Sequence, residues 1–321
     1  MYDDSTALMH MNANTLQKLI VGGAKDNDFS QLLIDSNGQN VVYPKLLILR
    51  MYLKNVVYVA LENRPTFEST MVPFPRLERL TIEMVYPFGD DVVFRGNTET
   101  LKSIAIRTDE DALEMLINLK TLAQGRFLAL RTFKLMSYID ALGSMRDLAK
   151  ENITLIEGVN RQVENLQLVF SEAGRRLIGR INNGLAFDRL RQLDVCETYM
   201  SIRDVLRMLK MLPHLQRLRS KLAAVSMFHT MAQNAQSVDS FCEKNMRSGV
   251  WLQQWDIFYG DVSPIARYSS IYAAFLAVIC PHFACLKVQH KTSEKHYAGI
   301  ALLQRTTFSA HAQSLQRLLS L

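Results

Sequence analysis

Apolar residues recur along the chain in the frame L-x-x-L-x-L, with positions 1, 4 and 6 apolar and positions 2, 3 and 5 variable. Five consecutive copies are clear: Leu77, Leu80, Ile82; Leu101, Ile104, Ile106; Leu130, Phe133, Leu135; Val163, Leu166, Leu168; and Leu190, Leu193, Val195. Leu46, Leu49, Met51 and a looser Leu16, Leu19, Val21 precede them, and Leu252, Trp255, Ile257 and Phe283, Leu286, Val288 follow. Looser copies at Leu215 and Leu315 place Ser220 and Ser320 at position 6. Positions 4 and 6 alternate with 3 and 5, the period of a strand with one buried face. Each copy therefore predicts a short strand.

Helices also generate i, i+3 spacing, but a second mark favours strands. Proline stands two residues before position 1 at Pro44, Pro75, Pro213 and Pro281, four of the eight prolines in the chain. Proline has no amide proton and biases the preceding residue to extended geometry, which suits the start of a strand. The intervening segments read as helices. Ser201–Met211 opens with a capping-box-like Ser201-Ile-Arg-Asp204 and gathers Ile202, Val205, Leu206, Met208 and Leu209 on one face. Ser171–Ile181 has a capping Ser171, an early Glu172 and a closing Gly184. Asp111–Leu122 shows Leu113, Leu116, Ile117 and Leu122 in the same manner.

A unit of strand, turn, helix and return cannot bury both its strand and its helix alone, whereas stacked units share one core. Copies begin from 24 residues apart (Leu77 to Leu101) to 37 apart (Leu215 to Leu252). The predicted fold is α/β: a leucine-rich-repeat solenoid with a curved parallel sheet on the concave side and helices on the convex side. Residues 1–15 are expected to form an N-terminal tail, and residues 16–321 one domain of about 9–11 irregular repeats. The competing arrangement is a doubly wound α/β sheet, the scaffold of many enzymes. No G-x-G-x-x-G or G-x-x-x-x-G-K-[ST] loop follows a predicted strand to support a nucleotide-binding version.

The segment Phe74-Pro-Arg-Leu-Glu-Arg-Leu-Thr-Ile-Glu-Met, followed by Thr100-Leu-Lys-Ser-Ile-Ala-Ile-Arg, resembles fungal leucine-rich-repeat proteins of the F-box-associated, ribonuclease-inhibitor-like type. Two features depart from that pattern. The asparagine expected three residues after position 6 is replaced by Val85, Asp109, Tyr138, Ser171 and Thr198 in the five clear copies, so Asp109, Ser171 and Thr198 are expected to hold the turn instead. The F-box, the helical module that docks such proteins on a ubiquitin ligase, does not precede the repeats in this chain. Either the function dispenses with that module, or an N-terminal part lies outside the sequence.

Composition narrows the choice of function. Hydrophobic residues at 48% and charged residues at 21% exclude a disordered chain. The net charge of +6, from 37 basic and 31 acidic residues, is spread along the chain. Four cysteines at irregular spacing do not make a disulfide framework, and the N-terminus lacks a secretory pattern. The apolar run Ile271–Cys280 is too short to span a bilayer. An intracellular location, cytoplasmic or nuclear, is expected, with no membrane contact.

Candidate chemistry is sparse. Cys280-Pro-His282-Phe-Ala-Cys285, with His290 and His296 downstream, carries zinc-ligand residue types. Its C-x4-C spacing is not that of a structural knuckle, and the repeat register accounts for Phe283 and Leu286, so no metal is expected. No G-x-S-x-G elbow occurs, and acidic groups such as Asp109-Glu110-Asp111 suit a helix start. Basic residues gather between Arg203 and Lys221 without the interleaved aromatics of a nucleic-acid surface. No catalytic residue and no cofactor are expected.

Positions 3 and 5 point away from the buried row, so the candidate partner-binding residues of the concave face are Arg50, Arg79, Lys134, Gln167, Gln192, Asp194, Arg217, Arg219 and Asp256. Cations outnumber anions there, which suits a protein partner with an acidic surface. The family resemblance implies ubiquitin-ligase subunits as further partners where an F-box lies upstream. Nucleic acid is not expected.

Overall fold

The structure, a computed structural model, describes residues 4–22, 30–52, 70–83, 92–94, 96–97, 99–108, 127–137, 153–169, 171–200, 202–222, 252–259 and 285–290. The chain falls into two compact units, Met1–Gln167 and Leu168–Leu321. The expected helix Asp111–Leu122 and the looser copy at Leu315 lie outside the described residues.

In the first unit, helix α1 (Asp4–Met11) occupies part of the stretch expected as a tail. Strand β1 (Lys18–Gly22), the short helix α2 (Ser30–Leu33), β2 (Ile48–Tyr52), β3 (Arg79–Glu83), β4 (Ser103–Thr108) and β5 (Thr132–Ser137) follow. β6 (Asn165–Val169) begins in this unit and crosses its boundary. The second unit contains helix α3 (Ser171–Asn182), β7 (Gln192–Met200), helix α4 (Ile202–Met211), β8 (Arg217–Leu222), β9 (Gln254–Tyr259) and β10 (Cys285–His290).

Neighbouring strands follow sequence order, β1 to β5 in the first unit and β7 to β10 in the second, and each pairing is parallel. The fold is thus α/β with parallel strands, as the frame predicts. Position 3 pairs with position 3 along Lys18, Ile48, Arg79, Ser103 and Thr132, and again along Gln192, Arg217, Gln254 and Cys285. Positions 4 and 6 form the core: Leu80, Ile104, Phe133, Leu166, Leu193 and Trp255 are all buried, as the alternation requires.

A main-chain feature repeats at seven of the strand joins. The position 2 carbonyl of one repeat accepts two N–H groups, from positions 2 and 3 of the next. The acceptors are Gln17, Leu47, Glu78, Lys102, Arg131, Arg191 and Gln216, with distances of 2.8 to 3.1 Å. This fork ties adjacent strands in register through main-chain groups alone. Three residues ahead of position 1 stands a buried apolar side chain, Tyr43, Phe74, Phe127, Phe187 or Leu212. Tyr43 and Phe74 stack at 5.6 Å, and the Tyr43 hydroxyl donates to the Leu32 carbonyl at 2.9 Å. The prolines two residues before position 1 are neighbours of this anchor.

The helices of the second unit follow from their sequences. In α4, Val205, Met208 and Leu209 are buried while Arg207 and Lys210 are exposed. Helix α3 ends in a Schellman motif: Leu185 N–H donates to the Arg180 carbonyl and Gly184 N–H to that of Ile181, with Gly184 at a φ of 104°. Gly174 presses α3 onto β7, since a β-carbon there would stand 1.9 Å from Thr198 Oγ1. Among the described residues no helix is long and apolar enough to cross a membrane.

Candidate functional site

Within each unit, positions 3 and 5 form two columns of side chains above the buried row. In the first unit Arg50, Arg79 and Lys134 are exposed on β2, β3 and β5, and Gln167 on β6 is half-buried. Ile48 is the register partner of Arg79, and Arg50 lies two residues beyond Ile48. In the second unit Gln192, Asp194, Arg217, Arg219 and Asp256 come together on β7, β8 and β9, joined by Gln254.

The second group is a closed network instead of the open surface expected there. Asp256 is 1% exposed. Its Oδ2 accepts from Arg217 Nη2 at 2.8 Å, and its Oδ1 from Gln254 Nε2 at 2.7 Å. Arg219 Nη1 donates to Asp194 Oδ2 at 2.9 Å, while Arg219 Nε stands 3.9 Å from Asp256. Each carboxylate is set one strand away from its arginine at position 3 or 5, so parallel register itself makes the pairs. Such pairing offsets the desolvation of Asp256, and removing one partner would leave a buried charge uncompensated. Arg217 and Arg219 are therefore committed to the sheet.

β7 is longer than its neighbours because its register shifts between Val195 and Tyr199, so Cys196, Glu197 and Thr198 bulge out of the ladder. The bulge carries further contacts. Cys196 N–H donates to Asp194 Oδ1 at 3.2 Å, Glu197 pairs with Lys221, and the Lys221 ammonium lies 5.4 Å from the centre of the Tyr199 ring. Burial, reinforced by the charges of Asp194 and Glu197, pushes the Cys196 thiol up to about 12 against the opposing pull of Arg219. A thiol so held stays protonated near neutral pH and is a poor nucleophile.

Ser220, the weak member of its copy at position 6, has a positive reason to be polar. It is buried and accepts a 3.1 Å hydrogen bond from Trp255 Nε1 on the neighbouring strand. Of the residues expected to replace the turn asparagine, Ser171 is the first residue of α3, Thr198 is buried in the bulge against Gly174, and Asp109 lies outside the described residues. Cys280 and His282 also lie outside them, and Cys285 begins β10. Among the described residues no group of three or more His, Cys, Asp and Glu side chains is placed to hold a metal ion.

The ion pairs and the Ser220 contact escaped sequence reasoning. Arg217 and Asp256 are 39 residues apart and Arg219 and Asp194 are 25 apart, and only the strand register brings them together. The signal was present in the aligned columns, where Arg219 faces Asp194 and Asp256 at position 5 and Arg217 at position 3 stands diagonal to Asp256. No family model and no curated protein matches the chain.

Proposed function

We propose that the chain is a non-catalytic scaffold of the leucine-rich-repeat solenoid kind, like the fungal F-box-associated proteins it resembles, and that it binds another protein across the side-chain columns of its parallel strands. The observation that carries this reading is the strict register of positions 3 and 5 above a fully buried row. Stacked strands present side chains at a fixed spacing of about 4.8 Å, and the column residues Arg50, Arg79 and Lys134 are exposed above the core. Such a face suits recognition of an extended or folded protein surface by shape and charge.

In the adaptor form of this function the partner is the substrate of a ubiquitin ligase, and the ligase docks through a module outside the repeats. The test is affinity purification of the tagged full chain from its native cell, followed by mass spectrometry. Leu166→Asp serves as the control, because a carboxylate in the buried row disrupts the stack. A protein recovered with the wild-type chain and lost with the control is the expected result, and ligase subunits among the recovered proteins would favour the adaptor form. A chain that retains no protein beyond the control refutes the scaffold.

A further inference from the structure

The two units treat their face cations differently. In β7–β9 the arginines of the columns are neutralised by Asp194 and Asp256. In β1–β5 the same columns hold Lys18, Arg50, Arg79 and Lys134 and not one carboxylate. All four are exposed, and among the described residues none has an ion-pair partner. Glu83, one step further along β3, stands in register with Arg107.

Three of these cations surround an apolar spot. Lys18 is the register partner of Ile48, which is in turn the partner of Arg79, while Ile20 is the partner of Arg50. With strands about 4.8 Å apart and about 3.3 Å per residue along each, Arg50 lies roughly 8 Å diagonally from both Lys18 and Arg79 at the Cα level. Ile20 is 50% exposed and Ile48 half-buried, in columns whose other members are otherwise polar or small. An aliphatic side chain held in water beside three free cations has a use when a ligand covers it.

We propose that the β1–β3 face binds an acidic segment of a partner protein that also carries an apolar side chain. The apolar group packs on Ile20 and Ile48, and neighbouring carboxylates pair with Lys18, Arg50 and Arg79. This rests on the scaffold reading and gives it a location and a chemistry. A nucleic-acid strand fits less well, because it is held by a longer row of cations with aromatic platforms for its bases, and here the groups between the cations are aliphatic.

The experiment is selection of a random dodecapeptide display library on the immobilised full chain, with affinities of recovered peptides measured by fluorescence anisotropy. Peptides enriched in Asp and Glu around a Leu, Ile or Phe are expected. Their binding should weaken about tenfold or more on the Arg50→Glu/Arg79→Glu double variant, and less on Ile20→Ser, while circular dichroism stays that of the wild type. Recovered peptides without acidic enrichment, or insensitive to both variants, overturn the proposal. So does a labelled oligothymidine that binds more tightly than any recovered peptide and loses that binding on the double variant. If the native partners described above are captured equally by wild type and double variant, the location falls and the scaffold stands. If no protein is captured by either, the scaffold itself falls.

Discussion

Replacing Arg217 by leucine would strand Asp256 in the sheet. The Asp256 carboxylate is almost fully enclosed and would keep only Gln254 at 2.7 Å and the more distant Arg219 at 3.9 Å. Breaking a buried ion pair from one side costs roughly 3–5 kcal/mol. Arg217 is itself 41% exposed, so water screens part of the attraction and about 3 kcal/mol is the figure to expect. The reverse deletion, Asp256→Asn, is milder at about 1 kcal/mol, because the freed guanidinium can turn to solvent and the new amide can still pair with Gln254. Both tryptophans of the chain, Trp251 and Trp255, belong to the second unit, so their emission follows the unfolding of that unit. For a unit of 154 residues (321 − 167) a change of this size lowers the midpoint by roughly 6–12 °C for Arg217→Leu and a few degrees for Asp256→Asn. A larger loss from Asp256→Asn than from Arg217→Leu would refute the claim that the buried carboxylate is what the network exists to satisfy.

Three further outcomes follow from contacts within the second unit. Ser220→Ala leaves the Trp255 indole N–H without its acceptor and should cost about 1–3 kcal/mol, seen in the same emission melt, whereas an unchanged midpoint would deny the hydrogen bond any role. Gly174→Ala drives a methyl into Thr198 Oγ1 and should destabilise by about 1–3 kcal/mol in the same melt, with partial relief on adding Thr198→Ala, which removes that oxygen. Cys196 should be alkylated slowly at pH 8, as followed on its own proteolytic peptide. Because its thiol is raised from 9.0 to about 12 in the fold, the stability it contributes is fully present below pH 9 and is lost as pH rises towards 12. Rapid alkylation at pH 8 would contradict that placement.

Much of the sheet was legible in the sequence because a strand writes its buried face at period two. The row of Leu80, Ile104, Phe133, Leu166 and Leu193, and Trp255 further on, is visible as spacing alone. What period two cannot express is a contact between columns. Asp256 reads as an exposed position 5 residue, yet arginines one strand away enclose it. Ser220 reads as an eroded leucine, yet it is matched to the one tryptophan at position 4. The aromatic anchor at Tyr43, Phe74, Phe127 and Phe187 was available in sequence, but the prolines beside Tyr43 and Phe74 were the stronger mark. The face cations show the reverse difficulty. Arg50 and Arg217 look alike in the frame, and only the structure separates an arginine open to a ligand from one already engaged.

The forked carbonyl at position 2 has a consequence for how such a chain can change over time. Its acceptors belong to glutamine, leucine, glutamate, lysine and arginine residues, so within one molecule the same join is made beneath amide, aliphatic, acidic and basic side chains. A join made of amide and carbonyl groups is not altered by ordinary substitution, and each copy can drift apart from its siblings while remaining interchangeable with them in space. Only proline at position 2 or 3 would break it, by removing a donor. Resemblance between copies can thus decay in the written sequence long before it decays in the hydrogen-bonded backbone.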